Sequence, residues 1–247
     1  MNYVEKLDAA LEAAVRKSIN DTHSLGLLFS GGLDSSLLAK ICADIGVQPT
    51  LVSVYMEGSR DESVARDAAS FFDLEHVEKV IFEDEIEAYV KHVSEAASTG
   101  DILDISIGVP LYAGLETASF AGLESVMCGQ GADELFAGYH RYLNMEVEQL
   151  ESELKKDVET INIARDRSIA SAHGIMLLTP YLDESVVELG LQIPVSLKIK
   201  SGVRKYVLRE VAKNRGLPKS IWSREKKAIQ YSTGVDKRVK KIIKKGV

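Results

Sequence analysis

A glycine- and serine-rich turn between an apolar strand and an apolar helix constrains this chain more than any other feature. Residues 25–29 predict a buried strand, and residues 37–43 predict a helix. The turn between them reads Ser30-Gly-Gly-Leu-Asp-Ser-Ser36. Its adjacent glycines let the backbone bend tightly and approach a ligand closely. Because the helix directs unpaired N–H groups and a positive dipole end into the turn, the segment suits a phosphate group.

The turn follows neither of two familiar phosphate-loop spacings. It lacks the pattern G-x-x-x-x-G-K-[ST], and it also lacks G-x-G-x-x-G. A plainer alternative stays open at this point, because Asp34 in the first turn of a helix would also stabilise the helix dipole. The turn alone therefore predicts an anion site without identifying the anion.

Strands and helices alternate along the first part of the chain. The predicted strands cover residues 25–29, 50–55, 79–82 and 125–128. The predicted helices cover residues 3–19, 37–43, 84–97 and 111–121, with Pro110 in the first turn of the last one. This alternation predicts an α/β fold, in which a parallel sheet carries helices on both faces and binds ligands at the carboxyl ends of its strands. We expect a single domain over residues 1–247, with an α/β core in 1–142 and a mainly helical part in 143–247.

Composition argues against several classes of protein. The chain is 45% hydrophobic and 27% charged, as globular proteins are, and it has no apolar run of the roughly 20 residues that span a bilayer. It shows no signal-peptide pattern, and Cys42 and Cys128 have neither metal nor disulfide spacing, so we expect a cytoplasmic protein. A net charge of −7 argues against a nucleic-acid binder. The basic run 236–245 is best explained as a solvated helix, with a phosphate or RNA contact as the alternative.

A second glycine-containing motif follows the fourth predicted strand. It reads Cys128-Gly-Gln-Gly-Ala-Asp-Glu-Leu-Phe-Ala-Gly-Tyr139. Asp133 and Glu134 supply carboxylate oxygens, the ligands that Mg²⁺ prefers. A helix start with two acidic residues in its first turn would explain the same letters. Since both motifs fall at carboxyl ends of parallel strands, we expect them to lie at one edge of the sheet.

Taken together, the two motifs resemble the synthetase domain of the asparagine synthetases, which belong to the ATP pyrophosphatase (PP-loop) superfamily. Three later segments agree with that family in the same order. They are Pro180-Tyr-Leu-Asp183, Lys205-Tyr-Val-Leu-Arg-Glu210 and Arg224-Glu-Lys-Lys227. The resemblance covers nearly the whole chain. It implies a three-layer, Rossmann-like (adenine nucleotide alpha hydrolase-like) fold in which 1–142 bind the nucleotide and 143–247 face the substrate.

The resemblance also implies roles for individual residues. The pyrophosphate of ATP is expected on Ser30, Gly31, Gly32, Asp34, Ser35 and Ser36. The adenine is expected beside Leu28 and Val54, the ribose beside Gly129, and Cys128 is expected to contact ATP as well. Asp34 and Asp133 are expected to hold Mg²⁺ through the pyrophosphate, and Lys226 to neutralise charge on the phosphates. Gln130 stands where many members have a glutamate proposed as the base for the incoming amine, yet a glutamine cannot accept a proton at neutral pH.

The implied reaction forms an amide in two steps. A carboxylate attacks the α-phosphate of ATP and releases pyrophosphate, and an amine then attacks the acyl-adenylate and releases AMP. The implied partners are a small carboxylate, either aspartate or a less charged analogue, and ammonia. Because the sequence shows no glutaminase domain, we expect the ammonia to be free or to come from a separate glutaminase subunit. No membrane or nucleic-acid partner is implied, and a homo-oligomer is left open.

The acceptor side departs from the family pattern at two places. Polar family residues within 101–110 are replaced by Leu103, Asp104, Ser106, Gly108 and Val109. A family glutamate and arginine are replaced by Met176 and Leu178. These replacements favour an acceptor with less charge than aspartate, and the opposing interpretation is that Arg141 or Arg165 restores the charge. Two other functions remain as alternatives: a PP-loop enzyme that adenylates a tRNA base, and a non-catalytic ATP-binding subunit.

Overall fold

The computed structural model describes residues 2–19, 22, 24–224 and 235–243 of the chain. The strands of the main sheet are β1 (Leu25–Leu28), β2 (Thr50–Met56), β3 (His76–Ile81), β4 (Ser125–Met127) and β5 (Met176–Leu178). The helices before β4 are α1 (Tyr3–Ser18), α2 (Leu33–Asp44), α3 (Asp61–Ala69), α4 (Ile86–Ala96) and α5 (Ile102–Phe120). Those after β4 are α6 (Ala132–Leu135), α7 (Val147–Glu159), α8 (Ile163–Ala172), α9 (Glu184–Gln192), α10 (Val195–Lys198), α11 (Tyr206–Asn214), α12 (Lys219–Trp222) and α13 (Val235–Ile243). A small antiparallel hairpin joins β6 (Ile199–Lys200) to β7 (Val203–Arg204).

The main sheet is parallel throughout, with the strand order β3-β2-β1-β4-β5. The chain reverses its direction of progress across the sheet between β1 and β4, and the crevice above such a reversal is where open α/β sheets bind ligands. The register sets Leu27 beside Leu51 on one side and Met127 on the other. Parallel pairing and helices on both faces confirm the predicted fold class.

Each face of the sheet carries its own helical layer. On one face, Leu11 of α1, Leu37 of α2 and Val207 of α11 are buried in one apolar cluster. On the other face, Val93 of α4 and Ile169 of α8 are buried together with parts of α5 and α13. Because both faces are covered, the strands are apolar on both sides, which explains their unbroken apolar runs. None of the described helices is long and apolar enough to cross a membrane.

Helix α5 corrects one prediction, because it begins at Ile102 rather than at 111. The Asp101 carboxylate starts the helix by accepting hydrogen bonds from the N–H groups of Leu103 and Asp104, both at 2.9 Å. Pro110 therefore lies inside the helix, where it has no N–H to offer the carbonyl of the preceding turn. Placing Pro110 in the first turn was wrong because it treated the proline as a start signal, while burial of an apolar helix tolerates the lost bond.

Two further differences bear on the ligand crevice. Helix α2 begins at Leu33 rather than at 37, so the end of the serine-rich turn forms its first helical turn. The second, mainly helical part of the chain supplies β5, a fifth strand that the sequence analysis did not predict. Its three residues are too few to show an alternating pattern, yet they pair with β4 and extend the sheet.

Candidate functional site

A cavity of about 740 Å³ opens at the carboxyl edge of the sheet. Its walls are the ends of β1, β2 and β4, the starts of α2, α3, α5 and α6, and the connection between α7 and α8. Among the residues that line it are Leu28, Ser30, Gly32, Asp34, Ser35, Val54, Cys128, Gly129, Gln130 and Asp133. The two motifs, which lie far apart in sequence, therefore meet at one crevice.

The other predicted site residues have different surroundings. Gly31 lies behind the turn with φ +66°, and a Cβ there would come within 2.7 Å of the Val64 carbonyl oxygen, so only glycine fits. Ser36 is buried inside α2, and its hydroxyl has no hydrogen-bond partner among the described residues. Lys226 and the neighbouring Lys227 lie outside the described residues.

Hydrogen bonds within the turn centre on the Ser35 hydroxyl. This hydroxyl accepts from the Ser30 N–H at 3.3 Å and donates to the Gly32 carbonyl at 3.4 Å. Gly32 caps α2 and has no side chain that could take the first N–H groups of the helix. Those N–H groups and the serine hydroxyls therefore border the cavity as hydrogen-bond donors for an anion.

A buried lysine joins the two acidic residues that were expected to hold Mg²⁺. Lys205 Nζ donates to both carboxylate oxygens of Asp34 at 2.8 Å, and it lies 2.6 Å from Asp133 Oδ1. The Lys205 side chain is only 4% exposed. No cluster of three or more potential metal ligands occurs among the described residues, but two carboxylates with substrate phosphates are a usual environment for Mg²⁺.

The backbone is shaped closely around this ion bridge. A Cβ on Gly138 would lie 1.9 Å from Asp133 Oδ1 and 2.3 Å from Lys205 Cε, so a side chain at that position is excluded. Lys205 itself has φ +55°, a left-handed conformation that non-glycine residues seldom adopt. The fold thus accepts an unfavourable backbone conformation at the residue that brings the two carboxylates together.

Leu28 and Val54 form an apolar part of the cavity wall, and helix α5 packs closely against both. A Cβ built on Gly114 of α5 would lie 2.9 Å from Leu28 and 3.1 Å from Val54, so the helix and the two strands approach closely. Cys128 also lines the cavity, and burial raises the pKa of its thiol to about 12. Cys128 is consequently a neutral wall residue rather than a nucleophile. At Gly129 a Cβ would lie 3.2 Å from Asp34 Cβ, so glycine brings the end of β4 against the serine-rich turn.

Two polar side chains of the second motif line the middle of the cavity. Gln130 contributes a neutral amide. Glu134 is buried and accepts a hydrogen bond from the Tyr139 hydroxyl at 2.5 Å. Burial raises the pKa of Glu134, and the hydrogen bond from Tyr139 acts in the opposite direction. Only Glu134 can take up a proton, because its side chain is a carboxylate and that of Gln130 is a neutral amide.

Ion pairs form another part of the cavity wall. Arg165 is buried and lies 2.8 Å from Asp104 Oδ1 and 2.7 Å from Asp166 Oδ1. Arg141 lies 2.5 Å from Asp157 Oδ2. All five residues line the cavity. Both arginines named by the opposing interpretation thus line the cavity, and both already have carboxylate partners.

The structure separates the replaced acceptor positions into two groups. Leu103 and Asp104 line the cavity, whereas Ser106, Gly108 and Val109 are buried within α5. Leu178 is buried in the core, and Met176 is 59% exposed. Neither Met176 nor Leu178 is among the residues that line this cavity, so the loss of charge inferred at these two positions does not alter the cavity wall.

The similarity to known proteins agrees with this arrangement. The family model described as asparagine synthase matches residues 6–168 and 156–246. The chain belongs to the asparagine synthase family. It is 36% identical, over 98% of its length, to a putative glutamine-hydrolyzing asparagine synthetase 1 of Methanocaldococcus jannaschii, and 34% identical, over 91%, to the glutamine-hydrolyzing asparagine synthetase of Gallus gallus. It spans 51% and 42% of the lengths of those relatives.

A solved structure of an NMN synthetase from Francisella tularensis also aligns with this asparagine synthase family chain. The alignment covers 98% of this chain and 92% of that one, with a TM-score of 0.40 and 13% identity. The family match and the similarity to the curated relatives confirm the predicted resemblance to asparagine synthetases at the level of the family.

Sequence reasoning missed several side chains of this asparagine synthase family site. Lys205 was identified only as the first residue of the family-like segment 205–210, and no function was predicted for its side chain. Asp104 was named as a replaced position and Arg165 as a candidate charge, but neither was linked to Asp166. The available signal was local: Arg165 and Asp166 are adjacent and lie in the first turn of α8, which begins behind the Asn162 cap.

Proposed function

We propose that this asparagine synthase family chain binds ATP at the turn 30–36, transfers AMP to a carboxylate and forms an amide from the resulting acyl-adenylate. The observation that supports the proposal is the meeting of Asp34 and Asp133 around Lys205, beside the N-terminus of α2. The names of the relatives describe glutamine-hydrolyzing enzymes, and this chain spans about half of their length. The proposal therefore concerns the ATP-dependent reaction alone.

ATP fits the cavity in one orientation. The adenine ring lies against the apolar side chains of Leu28 and Val54, which line the cavity. The phosphates then lie along the turn, where the hydroxyls of Ser30 and Ser35 and the N–H groups of α2 donate hydrogen bonds. This orientation directs the α-phosphate toward the middle of the cavity.

Charge compensation determines whether a triphosphate is tolerated there. Asp34 and Asp133 would repel it, and Lys205 offsets part of their charge. The same two carboxylates fit Mg²⁺, which in proteins is commonly held by one or two carboxylates and substrate phosphates. When bound, Mg²⁺ would stabilise the negative charge that develops as pyrophosphate leaves. Lys226 is a second candidate cation for that charge.

The chain contributes positioning to the second step. Gln130 has no proton-accepting group at neutral pH, so its amide orients the incoming amine by hydrogen bonding. Holding the amine against the acyl-adenylate makes the reaction effectively intramolecular. Ammonia is the simplest nucleophile for this step, either free or delivered by a glutaminase.

Release of pyrophosphate from ATP, measured against a panel of carboxylates with and without ammonium, tests the proposal. We expect release that depends on one carboxylate, and a fall of about 100-fold or more in Asp34→Asn, since that change removes a charged group beside the reacting phosphates. Asp67→Asn is the matched control, because Asp67 is an exposed residue of α3. Full turnover in Asp34→Asn, or no release with any carboxylate, would contradict the proposal.

A further inference from the structure

One buried carboxyl group in the cavity wall carries no step of the reaction proposed above. Glu134 belongs to α6 and lines the cavity. Its Oε1 accepts a hydrogen bond from the Tyr139 hydroxyl at 2.5 Å. Its Oε2 accepts no hydrogen bond within the described part of the chain, and it is not among the fully buried side-chain atoms there that lack a partner. Oε2 is therefore accessible from the cavity.

The neighbours of Glu134 place it beside the expected phosphate site. The preceding residue, Asp133, lies 2.6 Å from Lys205 Nζ in the ion bridge that also holds Asp34. On its other side, Glu134 contacts Tyr139, whose ring centre lies 4.8 Å from the guanidinium carbon of Arg141. Glu134 thus belongs to the part of the wall that an acyl-adenylate would contact.

Formation of the amide requires a proton acceptor in this cavity. An amine that attacks the acyl carbon becomes positively charged, and its nitrogen must lose a proton before the amide is complete. Gln130 cannot take that proton, because its side chain is a neutral amide. Gly131, with φ +93°, turns the chain between Gln130 and α6, and both Gln130 and Glu134 line the cavity.

The other carboxyl groups of the cavity wall are less suited to accept a proton. Asp61 is only partly buried and belongs to the segment after β2 rather than to the second motif. The remaining five are each paired with a lysine or an arginine, which favours their ionised form. These five are Asp34, Asp104, Asp133, Asp157 and Asp166.

The surroundings of Glu134 favour a base that works near neutral pH. Burial raises the pKa of Glu134, the hydrogen bond from Tyr139 lowers it, Asp133 raises it and Lys205 lowers it. A carboxylate that takes up a proton more readily than an exposed one is a better general base, provided that it stays ionised. The hydrogen bond from Tyr139 favours the ionised form and leaves Oε2 for the substrate.

We propose that Glu134 Oε2 accepts the proton that the amine loses as the amide forms. This inference rests on the proposed function and adds the proton acceptor of its second step. The lone pair of the amine forms the C–N bond, and one proton passes from the nitrogen to Oε2. The bond between the acyl carbon and the oxygen of the α-phosphate then breaks, and its electron pair leaves with AMP. Gln130 orients the amine, and Glu134 takes its proton.

Glu134→Gln separates the two steps of the reaction. The new amide still accepts from the Tyr139 hydroxyl but cannot take up a proton. ATP–pyrophosphate exchange, measured with the carboxylate that supports the fastest release in the panel, should stay within about threefold. We expect kcat for ammonium-dependent amide formation to fall about 100-fold or more, the usual contribution of a general base. Glu87→Gln, at an exposed position of α4, should leave both rates unchanged.

The two measurements distinguish this inference from the proposed function. If amide formation in Glu134→Gln falls no further than exchange does, Glu134 is not the proton acceptor. If the unmodified chain shows no exchange with any carboxylate of the panel, the proposed function itself is contradicted.

Tyr139→Phe provides a second test, through the pH dependence of amide formation. The change keeps an aromatic ring beside Arg141 and removes the hydrogen bond that lowers the pKa of Glu134. Because only ionised Glu134 can accept the proton, the acid limb of the profile should move to higher pH. The profile is measured from about pH 5 to pH 9 with the concentration of unprotonated ammonia held constant. An acid limb that does not move would overturn the assignment to Glu134.

Discussion

At the scale of single residues, Lys205 carries the strongest prediction for stability. Its ammonium is buried between Asp34 and Asp133. Lys205→Met keeps the length of the side chain but leaves both carboxylates without this charge, and breaking a buried ion pair costs about 3–5 kcal/mol. We expect a loss of that size in the free energy of unfolding, measured by urea titration.

Lys200→Met serves as the control for that experiment. Lys200 is exposed in β6 and contacts the Tyr206 hydroxyl at 3.3 Å, so its replacement should change stability by no more than about 0.5 kcal/mol. Equal unfolding midpoints for the two variants would show that Lys205 does not hold the carboxylates together.

The same residues show why the site was only partly predictable. The turn 30–36 could be identified because its glycines, its serines and the helix that follows it are adjacent in sequence. The bridge from Lys205 to Asp34 spans 171 positions, and it depends on a left-handed backbone at Lys205 that the sequence does not reveal. A site formed by neighbouring residues could therefore be predicted from the sequence, whereas an ion pair between residues far apart in the chain could not.

At the scale of elements, β1, β2 and β4 were predicted well, and α5 and β5 were not. Strands β1 and β2 are buried on both faces, so their apolar runs are long and distinct. Helix α5 is apolar nearly all round and contains Pro110, so neither periodicity nor a start signal marked its true beginning at Ile102. Strand β5 is too short to carry a pattern of its own.

Helices α4 and α5 pack so closely that we expect Gly108→Ala to destabilise the protein, although alanine has the higher helix propensity. Replacing a glycine inside a helix by alanine usually gains about 0.5–1 kcal/mol. A Cβ on Gly108 would lie 2.5 Å from Val93 Cγ1, however, and a β-branched valine has little freedom to move away. We expect Gly108→Ala to lower the free energy of unfolding by about 1–3 kcal/mol.

A double variant identifies the cause of that loss. Val93→Ala removes the two methyl groups of Val93 that a Cβ on Gly108 would meet and leaves the weaker contact with Ile169 Cδ1 at 3.2 Å. Combined with Val93→Ala, Gly108→Ala should therefore cost less than it does alone, a favourable coupling of about 0.5–3 kcal/mol in thermal or urea unfolding. Strictly additive effects would mean that Gly108 is needed for a reason other than the approach of the two helices.

At the scale of the whole molecule, one arginine links the segment after α11 to the first two helices of the chain. Arg215, just after α11, pairs with Asp8 and Glu12 of α1 and with Asp44 at the end of α2. The Arg215 side chain is 9% exposed, and its three partners are each about a third exposed. The cluster therefore ties the first helix to the layer that supports the serine-rich turn.

Arg215→Gln should weaken the protein at neutral pH and have progressively less effect in acid. The hydrogen bond from Arg215, followed by that from Arg16, lowers the pKa of Glu12. A carboxyl group with a lower pKa in the folded state stabilises the fold above its unfolded value of about 4.3, and this contribution disappears as the pH falls through the folded value. Because the partners are partly solvated, we expect a loss of about 1–3 kcal/mol at pH 7.

Arg16→Gln, which removes an exposed pair within α1, should cost no more than about 0.5 kcal/mol. Urea titrations of both variants and the parent chain from pH 7 to pH 3 would measure this, and a constant difference across that range would exclude the ionised carboxylates as its source.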